Sequence, residues 1–192
     1  MTVWTSLPPL PLESSGTWQV ESLDSYVARL STTLNMSELQ LLNEVDGLGI
    51  VGTGSITKRR NSLVGPSERS SRRRQALEQM TGVDLRGSTL CVLREIIHPS
   101  GGFSPTRRWC PACLKEGDRK VTNRLIWSMQ DYTICFRHKQ EIVNECSKCG
   151  SKQEFGESSK KRGYCSKCGF DLAECFEPLT EFLGSGWVSR NL

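Results

Sequence analysis

Eight residues of this 192-residue chain fall into four pairs whose types and spacing suit metal binding. Cys110 and Cys113, Cys135 and His138, Cys146 and Cys149, and Cys165 and Cys168 each have two residues between their members. A pair at this spacing fits a tight turn that aims both ligand atoms at one ion. Zinc takes four such ligands tetrahedrally, from thiolate sulfur and imidazole nitrogen. Two pairs close one site, so four pairs close two. Sequential pairing assigns Cys110, Cys113, Cys135 and His138 to a first zinc ion, and Cys146, Cys149, Cys165 and Cys168 to a second. The pairs of the second site are 15 residues apart, within the span read as a zinc site from sequence. Those of the first are 21 apart, slightly long. Both sites are full, with no position left for water, so they read as structural and their metal binding as folding free energy.

Other uses of these cysteines are weaker. A secreted disulfide framework would follow a signal peptide, and Met1 to Leu12 has neither a basic start nor an apolar core. A reducing cytoplasm is therefore the expected compartment. The ligand order is also that of a cross-braced RING, in which the first and third pairs share an ion and which would imply ubiquitin transfer. The seven residues between His138 and Cys146 are long for that arrangement. Cys91 and Cys175 are left over and read as small buried hydrophobes. An enzyme has little support: there is no Ser/His/Asp arrangement, and one of the two histidines is assigned to zinc.

The elements that position these ligands follow from pattern. Leu7-Pro8-Pro9-Leu10-Pro11-Leu12 makes residues 1–19 an extended Pro-rich arm, lying on its own domain or on a partner, with Trp4 and Trp18 as anchors. Leu23, Tyr26 or Val27, Leu30 and Leu34 predict a helix over Glu21–Leu34. Ser37 caps a second helix to about Asp46, with Leu39, Leu42 and Val45 inward. Helix, short turn and Ser-capped helix is the layout of a helix-turn-helix. Glu38, Gln40, Glu44 and Asp46 point outward on the second helix, which would repel phosphate and favours docking a protein over reading DNA. Gly47 to Gly65 reads as a flexible connector carrying Lys58, Arg59 and Arg60. A third helix runs from Pro66-Ser67 to about Met80, lined by Arg69, Arg72, Arg73 and Arg74. Asp84 caps a fourth through about Arg94, with Leu90, Leu93 and Ile97 inward. Arg124–Met129 and Asp131–Cys135 read as a strand pair, and Glu177–Leu183 as a last helix.

Charge is uneven along the chain. Residues 1–47 carry one basic and six acidic side chains, residues 48–104 nine and four, and residues 105–192 fifteen and eleven. An acidic head before a basic body suggests two different partners. Lys58, Arg59, Arg60, Arg72, Arg73 and Arg74 are candidates for weak, sequence-independent contact with RNA or DNA. No run of apolar residues is long enough to span a membrane.

Several of these stretches together resemble one family. Glu21-Ser22-Leu23-Asp24-Ser25-Tyr26-Val27-Ala28-Arg29-Leu30 and Thr81-Gly82-Val83 resemble the N-terminal part of TniQ proteins. Arg108-Trp109-Cys110-Pro111-Ala112-Cys113-Leu114, Leu125-Ile126-Trp127-Ser128, Cys135-Phe136-Arg137-His138 and Cys146-Ser147-Lys148-Cys149-Gly150 resemble that family's zinc region, in order. The likeness covers roughly residues 6–175 and is greatest to the short TniQ proteins of CRISPR-associated transposons. It implies a non-enzymatic adaptor that links a target selector, either a CRISPR effector complex or a DNA-bound homologue, to the AAA+ ATPase TnsC. Glu38, Gln40 and Glu44, with Trp4 and Trp18, would then face TnsC.

The expected architecture is a mostly α-helical N-terminal helix-turn-helix-type domain, followed by small zinc-ribbon modules with short β hairpins and two structural zinc ions. In residues it runs: arm 1–19, helical domain 20–98, linker 99–106, first ribbon 107–144, second ribbon 145–176 and tail 177–192. No small-molecule substrate is expected. The alternative functions are the RING-like protein and a zinc-containing, sequence-specific DNA-binding protein, which would need basic residues on the reading helix.

Overall fold

The computed structural model describes residues 5–47, 63–93, 102–104, 106–117, 123–154 and 163–175. Its N-terminal half is helical. Helix α1 spans Leu23–Thr33, α2 Glu38–Gly47 and α3 Glu68–Thr81; a short α4, Pro111–Glu116, opens the cysteine-rich region. Among the described residues there are no longer strands, only isolated bridges.

The helices form where local chemistry starts and stops them. Leu23, Tyr26, Val27 and Leu30 make one fully buried stripe of α1. Asn35 takes a left-handed backbone, φ 54°, and turns the chain. A reciprocal capping box then starts α2: Gln40 N donates to Ser37 Oγ at 3.2 Å, and Ser37 N to Gln40 Oε1 at 2.8 Å. Ser70 N donates to Ser67 Oγ at 3.1 Å to start α3. Gly82, at φ 70°, ends α3 in the left-handed conformation, with its N–H on Glu78 O. α2 packs against both α1 and α3.

On α2 the inward residues are Leu41, Leu42 and Val45, whereas Leu39 is 42% exposed. The buried stripe is rotated from the expected one, and the rotation brings Asp46 toward α3. Arg73 Nε donates to Asp46 Oδ1 at 2.8 Å, so Asp46 does not point outward.

The arm packs on its own fold. Leu7 N donates to Met80 O at 2.9 Å, Tyr26 Oη to Leu10 O at 2.9 Å and Arg29 Nη2 to Pro11 O at 2.7 Å. Leu12 is buried, and Leu7 and Leu10 pack against the helical core. Leu63 and Val64, expected in a loose connector, are buried there too, and Val64 O accepts from Leu90 N.

Two predicted elements take another form. Residues 84–94 were expected to be helical; the chain instead makes two 3-10 turns, Arg86–Ser88 and Leu90–Leu93. Local side-chain bonds compete with a regular helix here: Arg86 N donates to Asp84 Oδ1 at 3.0 Å and Ser88 Oγ to Leu85 O at 2.6 Å. Thr89 is extended and separates the turns. Leu90 is buried and Leu93 partly so, while Ile97 lies outside the described residues. The expected strand pair at 124–135 is absent as well. Leu125–Ser128 is a 3-10 turn that buries Trp127. The Arg108 guanidinium takes the carbonyls of Met129, Gln130 and Tyr132, at 2.8, 3.0 and 2.8 Å, which removes acceptors a strand ladder would need. Ile134, expected to pair in that hairpin, is 47% exposed and bridges Glu141.

The helical core and the cysteine-rich region are stitched together. Ser22 N donates to Asn123 O at 3.1 Å, Leu125 N to Val20 O at 3.0 Å and Asn123 Nδ2 to Asp24 Oδ2 at 2.8 Å. Phe103, Leu125 and Met129 pack against the helical core, and Met129 also touches the second core, around Trp109 and Trp127. Residues 102–104, expected in a linker, are therefore partly structural. Glu177–Leu183 lies outside the described residues.

Candidate metal centres

The first centre is built on α4. Trp109, fully buried, exchanges backbone hydrogen bonds with Val143 and donates its Nε1–H to Leu172 O at 3.0 Å. This anchors the chain just before Cys110, the N-cap of α4, with Pro111 pre-set for the first helical turn. Cys110 and Cys113 thus project from the cap and first turn. Across from them, Cys135 and His138 lie on a knuckle. Cys135 N donates to Gln140 O at 2.8 Å, Lys139 N donates to Cys135 O at 2.7 Å, and Lys139 has φ 53°.

The second centre repeats that knuckle twice. Cys146 N donates to Ser151 O and Gly150 N to Cys146 O; Cys165 N donates to Phe170 O and Gly169 N to Cys165 O. Gly150 and Gly169, at φ 65° and 68°, occupy the left-handed position that Lys139 holds in the first. Each knuckle is flanked by one bridge: Ile134 to Glu141, Glu145 to Lys152, Tyr164 to Asp171. Gln153, buried, ties the two second-centre knuckles: Nε2 donates to Cys165 Sγ at 3.4 Å and Ser166 N donates to Oε1 at 2.9 Å.

These turns bring together Cys110, Cys113, Cys135 and His138 as one group, and Cys146, Cys149, Cys165 and Cys168 as another, with ligand atoms within 4.8 Å of one another. The spacing fits a tetrahedral cation. With metal–sulfur bonds of about 2.3 Å and metal–nitrogen bonds of about 2.0 Å, sulfur pairs should be about 3.8 Å apart and sulfur–nitrogen pairs about 3.5 Å. Cys113–Cys135, Cys146–Cys168 and Cys149–Cys165 sulfurs are each 3.7 Å apart. His138 Nδ1 lies 3.5, 3.2 and 3.6 Å from the sulfurs of Cys110, Cys113 and Cys135. These distances are far beyond a disulfide's roughly 2.05 Å, and all nine cysteines are free. The grouping follows chain order; a cross-brace would place Cys110 and Cys113 with Cys146 and Cys149.

Without a cation the crowded thiols shift in opposite directions. Packed sulfurs cannot all ionise alone. A hydrogen bond from Cys113 pulls the Cys110 thiol down to about 5, and the same contact, with burial, pushes Cys113 far up. Burial pushes Cys146 up to about 12. It also acts to raise Cys165, but hydrogen bonds from the Cys168 and Lys167 backbone, and from the Cys168 and Cys149 thiols, outweigh it and leave Cys165 at about 6. A divalent cation would favour the thiolate at every position.

The centres differ in exposure. Cys110, Cys113 and Cys135 are buried; in the second centre Cys149 is half-buried and Cys168 exposed. Cys175 is buried beside the second centre, its Sγ accepting from Ser147 N, and is not part of the ligand group. Cys91 is only half-buried.

The other candidate residues are scattered. Lys58, Arg59, Arg60 and Trp4 lie outside the described residues. Arg72 pairs with Glu68, Arg73 with Asp46 and Arg74 with Glu78, each an intramolecular pair. Arg73 is buried. Gln40 and Glu44 are exposed on α2, Glu38 is half-buried, and Trp18 is 45% exposed. Three residues escaped sequence reasoning: Arg108, Gln153 and Glu116, whose Oε1 lies 3.0 Å from His138 Nε2. Only the position of Glu116, one helical turn past Cys113, could have signalled it.

The family model of TniQ matches residues 15–142, from the arm through both ligand pairs of the first centre. The chain belongs to the TniQ family. The family is associated with transposition, and the match unites the helical core and the first centre in one family unit. Comparison with curated proteins finds no match. No helix among the described residues is long and apolar enough to cross a membrane.

Proposed function

We propose that this TniQ-family chain is a non-enzymatic targeting adaptor, linking a target selector to the AAA+ regulator TnsC so that a transposon is directed to its insertion site. The observation that carries the reading is the family match over residues 15–142. Its two metal centres are zinc ribbons in a scaffolding role: all four positions in each are protein ligands. The α1–turn–α2 unit is the helix-turn-helix-type head. Gln40 and Glu44 are its exposed polar face, and of the α3 arginines Arg69 and Arg73 share Asp46, Arg72 pairs with Glu68 and Arg74 with Glu78. A face of this character suits a basic protein surface better than phosphate. This disfavours a sequence-specific DNA reader, and the chain-order ligand groups disfavour a RING-like protein. The selector, a CRISPR effector complex or a DNA-bound homologue, would take another surface, with any RNA or DNA contact falling to Lys58, Arg59 and Arg60.

The test is binding of the purified full chain to ATP-loaded TnsC. Glu44 is the position to change, because Gln40 caps α2, Glu38 is half-buried and the arm carries Leu12 of the core. The variant Glu44→Lys is expected to bind roughly tenfold more weakly, mainly through slower association at low salt. Unchanged binding would remove α2 as the docking face; no binding by the unaltered chain would remove the adaptor reading itself.

A further inference from the structure

One carboxylate reaches the first centre from outside its ligand set. α4 presents Cys110 at its cap, Cys113 in its first turn and Glu116 as its last residue. The helix therefore meets the His138 ring from both sides. On one side Nδ1 faces three sulfurs, at 3.2 to 3.6 Å. On the other, Nε2 lies 3.0 Å from Glu116 Oε1. The second oxygen of the same carboxylate, Oε2, is 2.8 Å from Arg137 Nη2, next to His138 in the chain. Glu116 is thus held by its own helix and by a neighbour of the ligand it faces.

We propose that Glu116 is the positioning residue of the first metal centre. Its carboxylate stands 3.0 Å from Nε2, out of line for a hydrogen bond but close enough to fix the ring orientation that turns Nδ1 to the metal. A histidine ligand has two usable nitrogens, and the choice between them is set by the partner of the other. With Glu116 absent, water would replace it, the ring would lose its fixed orientation, and the centre would release its metal faster. With Glu116 47% exposed, the contact would stabilise the fold very little. Its effect belongs instead to metal retention in one centre of two. The second centre, all thiolate, has no imidazole to orient and serves as the internal control. The inference rests on the metal-centre reading of the first group, which metal analysis of the unaltered chain tests separately.

The experiment uses the zinc-loaded full chain, with Glu116→Ala, Glu116→Gln and Arg137→Ala variants. Each is challenged with a chelator while cysteine alkylation is followed site by site by mass spectrometry. In Glu116→Ala, alkylation of Cys110, Cys113 and Cys135 should quicken by on the order of tenfold, the range seen when an outer partner of a metal ligand is removed. The four second-centre cysteines should keep their rates. Glu116→Gln retains an acceptor oxygen and should fall between, and Arg137→Ala should stay near the unaltered chain. Nitrogen NMR of the His138 ring should show metal at Nδ1 in one ring environment in the unaltered chain, and heterogeneous ring signals in Glu116→Ala. Unchanged first-centre rates in Glu116→Ala would overturn the proposal. So would equal acceleration at both centres, which would report general loosening, or an equal effect of Arg137→Ala.

Discussion

Arg29 shows what single residues contribute here. It sits on α1, 8% exposed, and donates from Nε and Nη2 to the two carboxylate oxygens of Glu21, at 2.8 and 2.6 Å. Glu21 is fully buried and also accepts from Ser25 Oγ at 2.9 Å. The same guanidinium holds Pro11 O, so one cation joins the arm, the entry to α1 and the helix itself. Desolvating two charges is costly, and the bidentate geometry offsets that cost only while both partners remain. Arg29→Ala should therefore destabilise the helical core by roughly 3–5 kcal/mol, because it leaves Glu21 buried and unpaired. Urea unfolding of the zinc-loaded chain measures this; a loss below about 1 kcal/mol, the worth of an exposed pair, would contradict it. The sequence places Glu21 at the start of a helix and Arg29 within it, as part of a family-like stretch. Their pairing, eight positions apart, spans the helix entry and has no periodic signature.

At the scale of elements, the ligand pairs were legible because a knuckle is a local object. Its ligands, its left-handed residue and its closing hydrogen bonds all fall within six consecutive residues, as in Cys146–Ser151. α1 and α3 were legible for a similar reason, each having a buried stripe or a cap within its own sequence. The 3-10 turns at 86–93 and 125–128 were not. Their apolar residues suit a helix or a strand, and the deciding partners are distant in the chain: Val64 for Leu90, Arg108 for the carbonyls after Trp127. The knuckles also differ in a way that spacing alone could not show. Cys168 is exposed and Cys149 half-buried, whereas every cysteine of the first centre is buried. A chelator or a thiol reagent needs access to a ligand before it can displace the metal. Stepwise chelation should therefore release the second metal first, in a distinct fast phase, with Cys168 and Cys149 alkylated before Cys110 and Cys135. Release of both metals in one phase would contradict it.

At the scale of the whole molecule, two cores meet at a seam. One is helical, built on α1–α3 and the arm; the other gathers Trp109, Trp127, Leu172 and the cysteines. Val20, Ser22 and Asp24 bond to residues 123–125, and Met129 packs into both cores. The seam draws in residues on both sides of residue 107. Chain segments that look like linker by composition, such as Gly102–Ser104, pair with residues 128–130 across it. Metal at the two candidate centres would hold the far side of that seam in shape, and the order in which ligands share metals would then decide the architecture. Cadmium-substituted NMR of the full chain tests this most directly. Two cadmium resonances are expected: one coupled to Cys110, Cys113, Cys135 and His138, the other to Cys146, Cys149, Cys165 and Cys168. A single resonance coupled to both Cys113 and Cys149 would show a cross-braced pairing and contradict the account.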